Sequence, residues 1–153
     1  YVPGGPMNKK SYNYSGGCHC GNVIFTIKGE PVWKVNCYCN WCQRTSGSAF
    51  RSFVLFDEEN ISFIGKTPKS YEDKNTSHGR PMINQFCDNC GTLIGIKVPN
   101  MKERHIAIGT IDQRKYIEIS CNIWGVEALN FITFPKHADV YKNGYWSGTG
   151  EKL

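Results

Sequence analysis

Tyr116-Ile117-Glu118-Ile119-Ser120-Cys121-Asn122-Ile123-Trp124 is the clearest period-two stretch in the chain. In an extended strand Ile117, Ile119, Cys121 and Ile123 share one face, and Glu118, Ser120 and Asn122 share the other. The first set is expected in a core. Working outward, the same kind of segment recurs between turn residues. Val23 to Ile27 is β-branched and stops at Lys28-Gly29-Glu30-Pro31. Ala49 to Phe56 and Asn60 to Ile64 read as strands, with Asp57-Glu58-Glu59 as the turn between them. Leu93 to Val98 ends at Pro99-Asn100, and His105 to Ile108 ends at Gly109. Helix signals are poor, and only Gly125 to Phe131 has room for two turns. A mainly β fold of short strands with little helix follows.

The 153 residues, 40% hydrophobic and 20% charged, suffice for one packed domain and exclude an intrinsically disordered chain. A single domain over 11–153 is expected, with residues 1–10 read as a tag remnant or a flexible N-terminus. The longest clean apolar runs are short, such as Phe53-Val54-Leu55-Phe56, which excludes a membrane-spanning helix. No leader pattern opens the sequence, so a cytoplasmic or nuclear, reducing compartment is expected.

Seven of the eight cysteines fall into three clusters. Cys18-His19-Cys20-Gly21 is C-x-C, and in an extended strand its two sulfurs point to one side. Cys37-Tyr38-Cys39-Asn40-Trp41-Cys42 is C-x-C-x-x-C. Cys87-Asp88-Asn89-Cys90-Gly91 is a C-x-x-C turn whose backbone N–H groups can point at sulfur, with Gly91 free to take a positive φ. Clustered cysteines in a reducing compartment bind metal or catalyse, and the alternative is paired disulfides. A closed structural zinc site takes four ligands, and a catalytic one takes three plus an open position. The outer clusters supply four: Cys18, Cys20, Cys87 and Cys90. The middle cluster supplies three: Cys37, Cys39 and Cys42. Two alternatives stay open, Cys121 as a fourth ligand to the middle cluster and iron at the four-thiolate site.

Seven thiolates around two divalent ions would lower the formal charge of +5 to about +2. The basic residues are also scattered, so a nucleic-acid partner is not expected. A nucleic-acid-binding zinc ribbon fits poorly, because ribbons use two spaced C-x-x-C pairs.

Cys18-x-Cys20-Gly21, Cys37-x-Cys39-x-x-Cys42-Gln43-Arg44-x-x-Gly47-Ser48 and Phe86-Cys87-x-x-Cys90-Gly91-Thr92 together resemble the glutathione-dependent formaldehyde-activating enzyme family. Its activity is also called S-(hydroxymethyl)glutathione synthase, and it has a chromatin- and microtubule-associated branch typified by centromere protein V. The resemblance runs from about Ser15 to Trp146. It implies a two-sheet β-tent fold with two zinc ions per chain. The structural ion would lie on Cys18, Cys20, Cys87 and Cys90, and the catalytic ion on Cys37, Cys39 and Cys42. It departs where the family often has histidine and serine, at Tyr38 and Asn40.

The expected function is therefore a zinc-dependent carbon–sulfur lyase or synthase. Its partners would be a glutathione-like thiol and an aldehyde. The other reading is a non-catalytic zinc-stabilised binding module of the chromatin-associated branch. Three thiolates outweigh a divalent ion by one charge, which favours binding soft sulfur over making hydroxide and calls for a donor to a developing alkoxide. Arg44, Thr45, Ser46 and Ser48 follow the middle cluster, and Arg44 and Ser48 are the candidates carried forward. Arg44 and Arg51 are also candidates to pair with substrate carboxylates. Thr45 to Ser48 reads equally well as a plain turn. Among the histidines, only His137 is a candidate proton carrier, while His19, His78 and His105 are read as structural or solvated.

Overall fold

The computed structural model describes residues 12–76, 79–144 and 150–153. His78 and Trp146 lie outside them, as do residues 1–10. The strands are β1 (Tyr14–Gly17), β2 (Ile24–Ile27), β3 (Trp33–Cys37), β4 (Arg51–Asp57), β5 (Ile61–Phe63), β6 (Lys69–Asp73), β7 (Met82–Phe86), β8 (Leu93–Lys97), β9 (Glu103–Ala107), β10 (Cys121–Ile123) and β11 (Asp139–Val140). Among the described residues one α-helix, α1 (Asn40–Ser46), lies between β3 and β4. The fold is mainly β with little helix, as the strand pattern implies, and its described residues form two sheets, as the resemblance implies. No described helix is long and apolar enough to cross a membrane.

The chain divides into two compact units. One comprises 1–32 and 54–117, the other 33–53 and 118–153, and β4 runs from the second into the first. In the first unit β1, β2 and β5 form an antiparallel three-stranded sheet. Here β5 pairs with β2, so the turn at 57–60 does not make a hairpin with the preceding strand. β6, β7, β8 and β9 form an antiparallel meander. Phe25 and Ile27 are buried while Thr26 between them is half-buried, the alternation of a strand with one core face. They join Cys18, Val23, Val54, Phe56, Cys87, Ile94, Ile106 and Ile111 in one apolar cluster. β6 is exposed and carries Lys69, Glu72 and Asp73, charges that discourage pairing at a sheet edge.

In the second unit β10 runs parallel to both β3 and β11, with Ile123 opposite Cys37 and Cys121 opposite Val35. The expected strand over Tyr116–Trp124 is thus a strand only at Cys121–Ile123. Ile117 and Ile119 are half-buried, while Asn122, expected outward, is fully buried. The reason is polar pairing. Asn122 Oδ1 accepts from Asn36 Nδ2 and from the Tyr38 hydroxyl, each at 3.1 Å. Ser52 Oγ extends the network to Asn36 Oδ1 at 2.6 Å. The expected two-turn helix at Gly125–Phe131 is a single 3-10 turn over Gly125–Glu127.

Candidate metal centres

Two hairpin connections in the first unit build the four-cysteine group. β1 pairs with β2, and the link between them carries Cys18 and Cys20. β7 pairs with β8, and that link carries Cys87 and Cys90. The C-x-C segment is therefore a turn and not the extended strand expected, because Cys18 N–H already bonds Val23 O at 3.0 Å and Gly21 N–H closes onto Cys18 O at 3.3 Å. The turn still brings Cys18 Sγ to 3.5 Å from Cys20 Sγ. Cys20 Sγ lies 3.7 Å from Cys87 Sγ. The C-x-x-C turn is as expected. Gly91 N–H bonds Cys87 O at 2.9 Å, Asn89 N–H points at Cys87 Sγ at 3.4 Å, and Gly91 has φ 75°.

All four sulfurs lie within 4.8 Å of one another. Tetrahedral coordination at roughly 2.3 Å sets ligand sulfurs about 3.8 Å apart, which the two short separations match. A disulfide needs about 2.05 Å, and all eight cysteines are free. The protein itself holds two of these thiols down, while burial and the neighbouring sulfurs push Cys87 up to about 11. The Thr92 hydroxyl, 3.2 Å from Cys90 Sγ, pulls that thiol down to about 5. The Asn89 side chain lowers Cys20. Thr92 Oγ1 also accepts the His19 N–H at 3.1 Å, while the His19 residue is exposed and outside the sulfur group.

The second unit holds Cys37, Cys39 and Cys42, whose sulfurs are also within 4.8 Å of one another. Cys37 ends β3. Cys39 is the N-cap of α1, and its Sγ accepts the Cys42 N–H at 3.3 Å. Gly47, at φ 68°, closes the helix from the left-handed region. The three residues are 7%, 5% and 2% exposed. Hydrogen bonding to Cys39 and burial raise the Cys37 thiol, and Cys37, Cys39 and burial raise Cys42. Three buried sulfurs cannot all ionise unaided, and a divalent cation in their midst supplies the missing charge. Both groups can hold a metal ion.

Cys121, the possible fourth ligand, is outside the trio. It is 5% exposed beside Val35, and burial followed by the charge of Asp139 pushes its thiol up to about 12.

The residues after the trio separate by helix phase. Thr45 Oγ1 donates to Trp41 O at 2.8 Å and Ser46 Oγ to Cys42 O at 2.6 Å, so both hydroxyls serve α1 itself. Arg44, two positions past Cys42, lies about 200° around the helix from it. With Asn40, Gln43, Gly47 and Ser48 it lines an open groove of about 400 Å³. Arg51 is not solvated. It is 5% exposed, donates from Nη1 to Thr45 Oγ1 at 3.2 Å and stacks 4.9 Å from the Phe53 ring centroid. His137 is exposed, and His105 is buried in β9.

Two supporting residues had no local signal in the sequence. Glu127 Oε2 accepts the Asn40 N–H at 2.6 Å at the start of α1, and Glu127 O accepts from Gln43 Nε2 at 2.9 Å. Asn122 anchors Tyr38, between two of the cysteines. Both partners are more than 80 positions away in the chain.

With this geometry in place, comparison with known proteins is decisive on family. The profile of the glutathione-dependent formaldehyde-activating enzymes matches residues 13–127, a span that contains both sulfur groups. The chain belongs to that family. The sequence matches no curated protein. Its fold is similar to that in the crystal structure of a Rhodobacter sphaeroides protein, at 17% identity and a TM-score of 0.52 over 69% of this chain and 96% of that one. Membership supports a function related to glutathione and formaldehyde activation.

Proposed function

We propose that the chain is a zinc-dependent carbon–sulfur lyase or synthase acting on a thiol–aldehyde adduct of the S-(hydroxymethyl)glutathione type. The observation that carries this reading is the inequality of the two sulfur groups, four in one and three in the other. Four cysteines complete a tetrahedron, whereas three leave a position for an outside molecule. When bound at the trio, zinc supplies a site that ionises a thiol or polarises a carbonyl.

The chain's own residues do the rest. Cys37, Cys39 and Cys42 hold the cation as a dry, soft donor set suited to sulfur. The open groove on α1 lies on the side of the helix away from Cys42, where Arg44 offers a partner to a carboxylate and Ser48 a hydroxyl to polar atoms of a thiol long enough to reach around the helix. In synthesis the C–S bond forms between thiol sulfur and aldehyde carbon, and the thiol proton ends on the aldehyde oxygen. Lysis is the reverse.

Exchange NMR on glutathione and formaldehyde tests this. Interconversion should be faster with zinc-loaded protein than without it, and the gain should vanish in Cys39→Ser. Equal rates with and without protein would refute the enzyme for this substrate and leave the non-catalytic module.

A further inference from the structure

We propose that Arg51 is the counter-charge of the three-cysteine centre, holding its ion in place and favouring an anionic sulfur as the outside ligand. The inference rests on the metal reading above. Arg51 is 5% exposed, and a permanently charged side chain leaves water only where opposite charge compensates it. Its position is fixed on two sides, by Nη1 to Thr45 Oγ1 at 3.2 Å and by the Phe53 ring at 4.9 Å. Thr45 stands three residues after Cys42, so the two share a side of α1. Thr45 is itself anchored to Trp41 O. The guanidinium therefore docks on the cysteine-bearing side of the helix, whereas Arg44 lies on the other. Burial pulls the Arg51 pKa down, and thiolate charge at Cys42, Cys37 and Cys39 acts in the opposite direction.

The charge balance gives this placement a consequence. Three thiolates around a divalent ion carry one surplus negative charge, and a substrate thiolate makes it two. A guanidinium at hand returns the first state to neutrality and leaves the second only singly charged. It thereby opposes loss of the ion and lowers the electrostatic cost of admitting a thiolate. Being buried, it acts as a positioning residue and does not grip a substrate carboxylate.

The test uses the full chain loaded with zinc, a competing chelator, and native mass spectrometry to count ions. Wild-type protein should lose its two ions at different chelator concentrations. In Arg51→Gln the three-cysteine ion should leave at roughly 10–100-fold lower chelator, the range for losing a partner outside the ligand set. The four-cysteine ion should be unmoved. Glutathione binding to the zinc-loaded protein, followed by calorimetry, should weaken in parallel. Arg51→Lys should restore most of both losses, and folding of Arg51→Lys alone would likewise support a charge role. An unchanged ion in folded Arg51→Gln overturns the proposal. So does equal damage in the Lys and Gln variants, including failure of both to fold, because that marks a packing role. Wild-type protein that carries no ion at the trio brings down the metal reading itself.

Discussion

Cys39 does two jobs that substitution can separate. Its sulfur belongs to the trio, and the same sulfur caps α1 by accepting the Cys42 N–H at 3.3 Å. Serine is among the best N-cap residues and alanine among the poor ones. Cys39→Ser therefore keeps the cap and exchanges a soft ligand for a poor one, while Cys39→Ala removes both. The cap is worth about 1 kcal/mol, with a range of roughly 0.5–2. For a chain of 153 residues, each kcal/mol moves Tm by roughly 2–4 °C. Thermal melts should be recorded after a mild chelator has stripped the labile ion, so that all proteins are compared without it. Cys39→Ser should then melt at or slightly above wild type, and Cys39→Ala about 2–4 °C below. Both should fail to retain the second ion and show no glutathione–formaldehyde exchange above background. Equal melting of the Ser and Ala variants would refute the capping argument. Retention of the second ion by either would remove Cys39 from the ligand set.

The four-cysteine group should respond differently. Cys87 is 1% exposed within the apolar cluster of the first unit, and a folded cysteine–zinc site is worth roughly 10–16 kcal/mol against a whole-domain stability of about 5–15; Cys87→Ser should abolish soluble, cooperative folding by circular dichroism. Asn122→Leu deprives the Tyr38 hydroxyl and Asn36 Nδ2 of their buried acceptor, at about 1–3 kcal/mol for each stranded group, and should lower Tm by roughly 4–24 °C without removing either ion. Thr92 holds the Cys90 thiol down to about 5, so the four-cysteine group keeps a thiolate donor well below the ordinary thiol range. Because its folded pKa is depressed, the stability it contributes is present above the ordinary thiol range and is lost as pH falls through about 5. On acid titration of the zinc-loaded chain followed by native mass spectrometry, the four-cysteine ion should leave at higher pH in Thr92→Val than in wild type; an unchanged release pH would refute the role of Thr92.

How much could be read from the chain alone follows from the range of each signal. Cysteine spacing is short-range chemistry, so the division into Cys18, Cys20, Cys87, Cys90 and Cys37, Cys39, Cys42 was legible, as was the Gly91 turn. The strands at Ile24–Ile27, Arg51–Asp57 and Leu93–Lys97 carried β-branched or apolar runs that announced them. α1 did not announce itself, because it is only seven residues long and is capped by a cysteine, a residue type with no capping reputation. Tyr116–Trp124 misled at Asn122, whose burial depends on Asn36 and Tyr38, far away in sequence. Arg44 and Arg51 look alike in a sequence. Only helix phase and the ring of Phe53 distinguish a groove-lining cation from a buried one.

Zinc-edge anomalous diffraction from crystals of the metal-loaded chain tests the unequal coordination most directly. The account predicts two anomalous peaks. One should be enclosed by Cys18, Cys20, Cys87 and Cys90, and the other held by Cys37, Cys39 and Cys42 with a non-protein atom at the fourth position. A fourth protein side chain on the second ion, or a disulfide in either group, would contradict it.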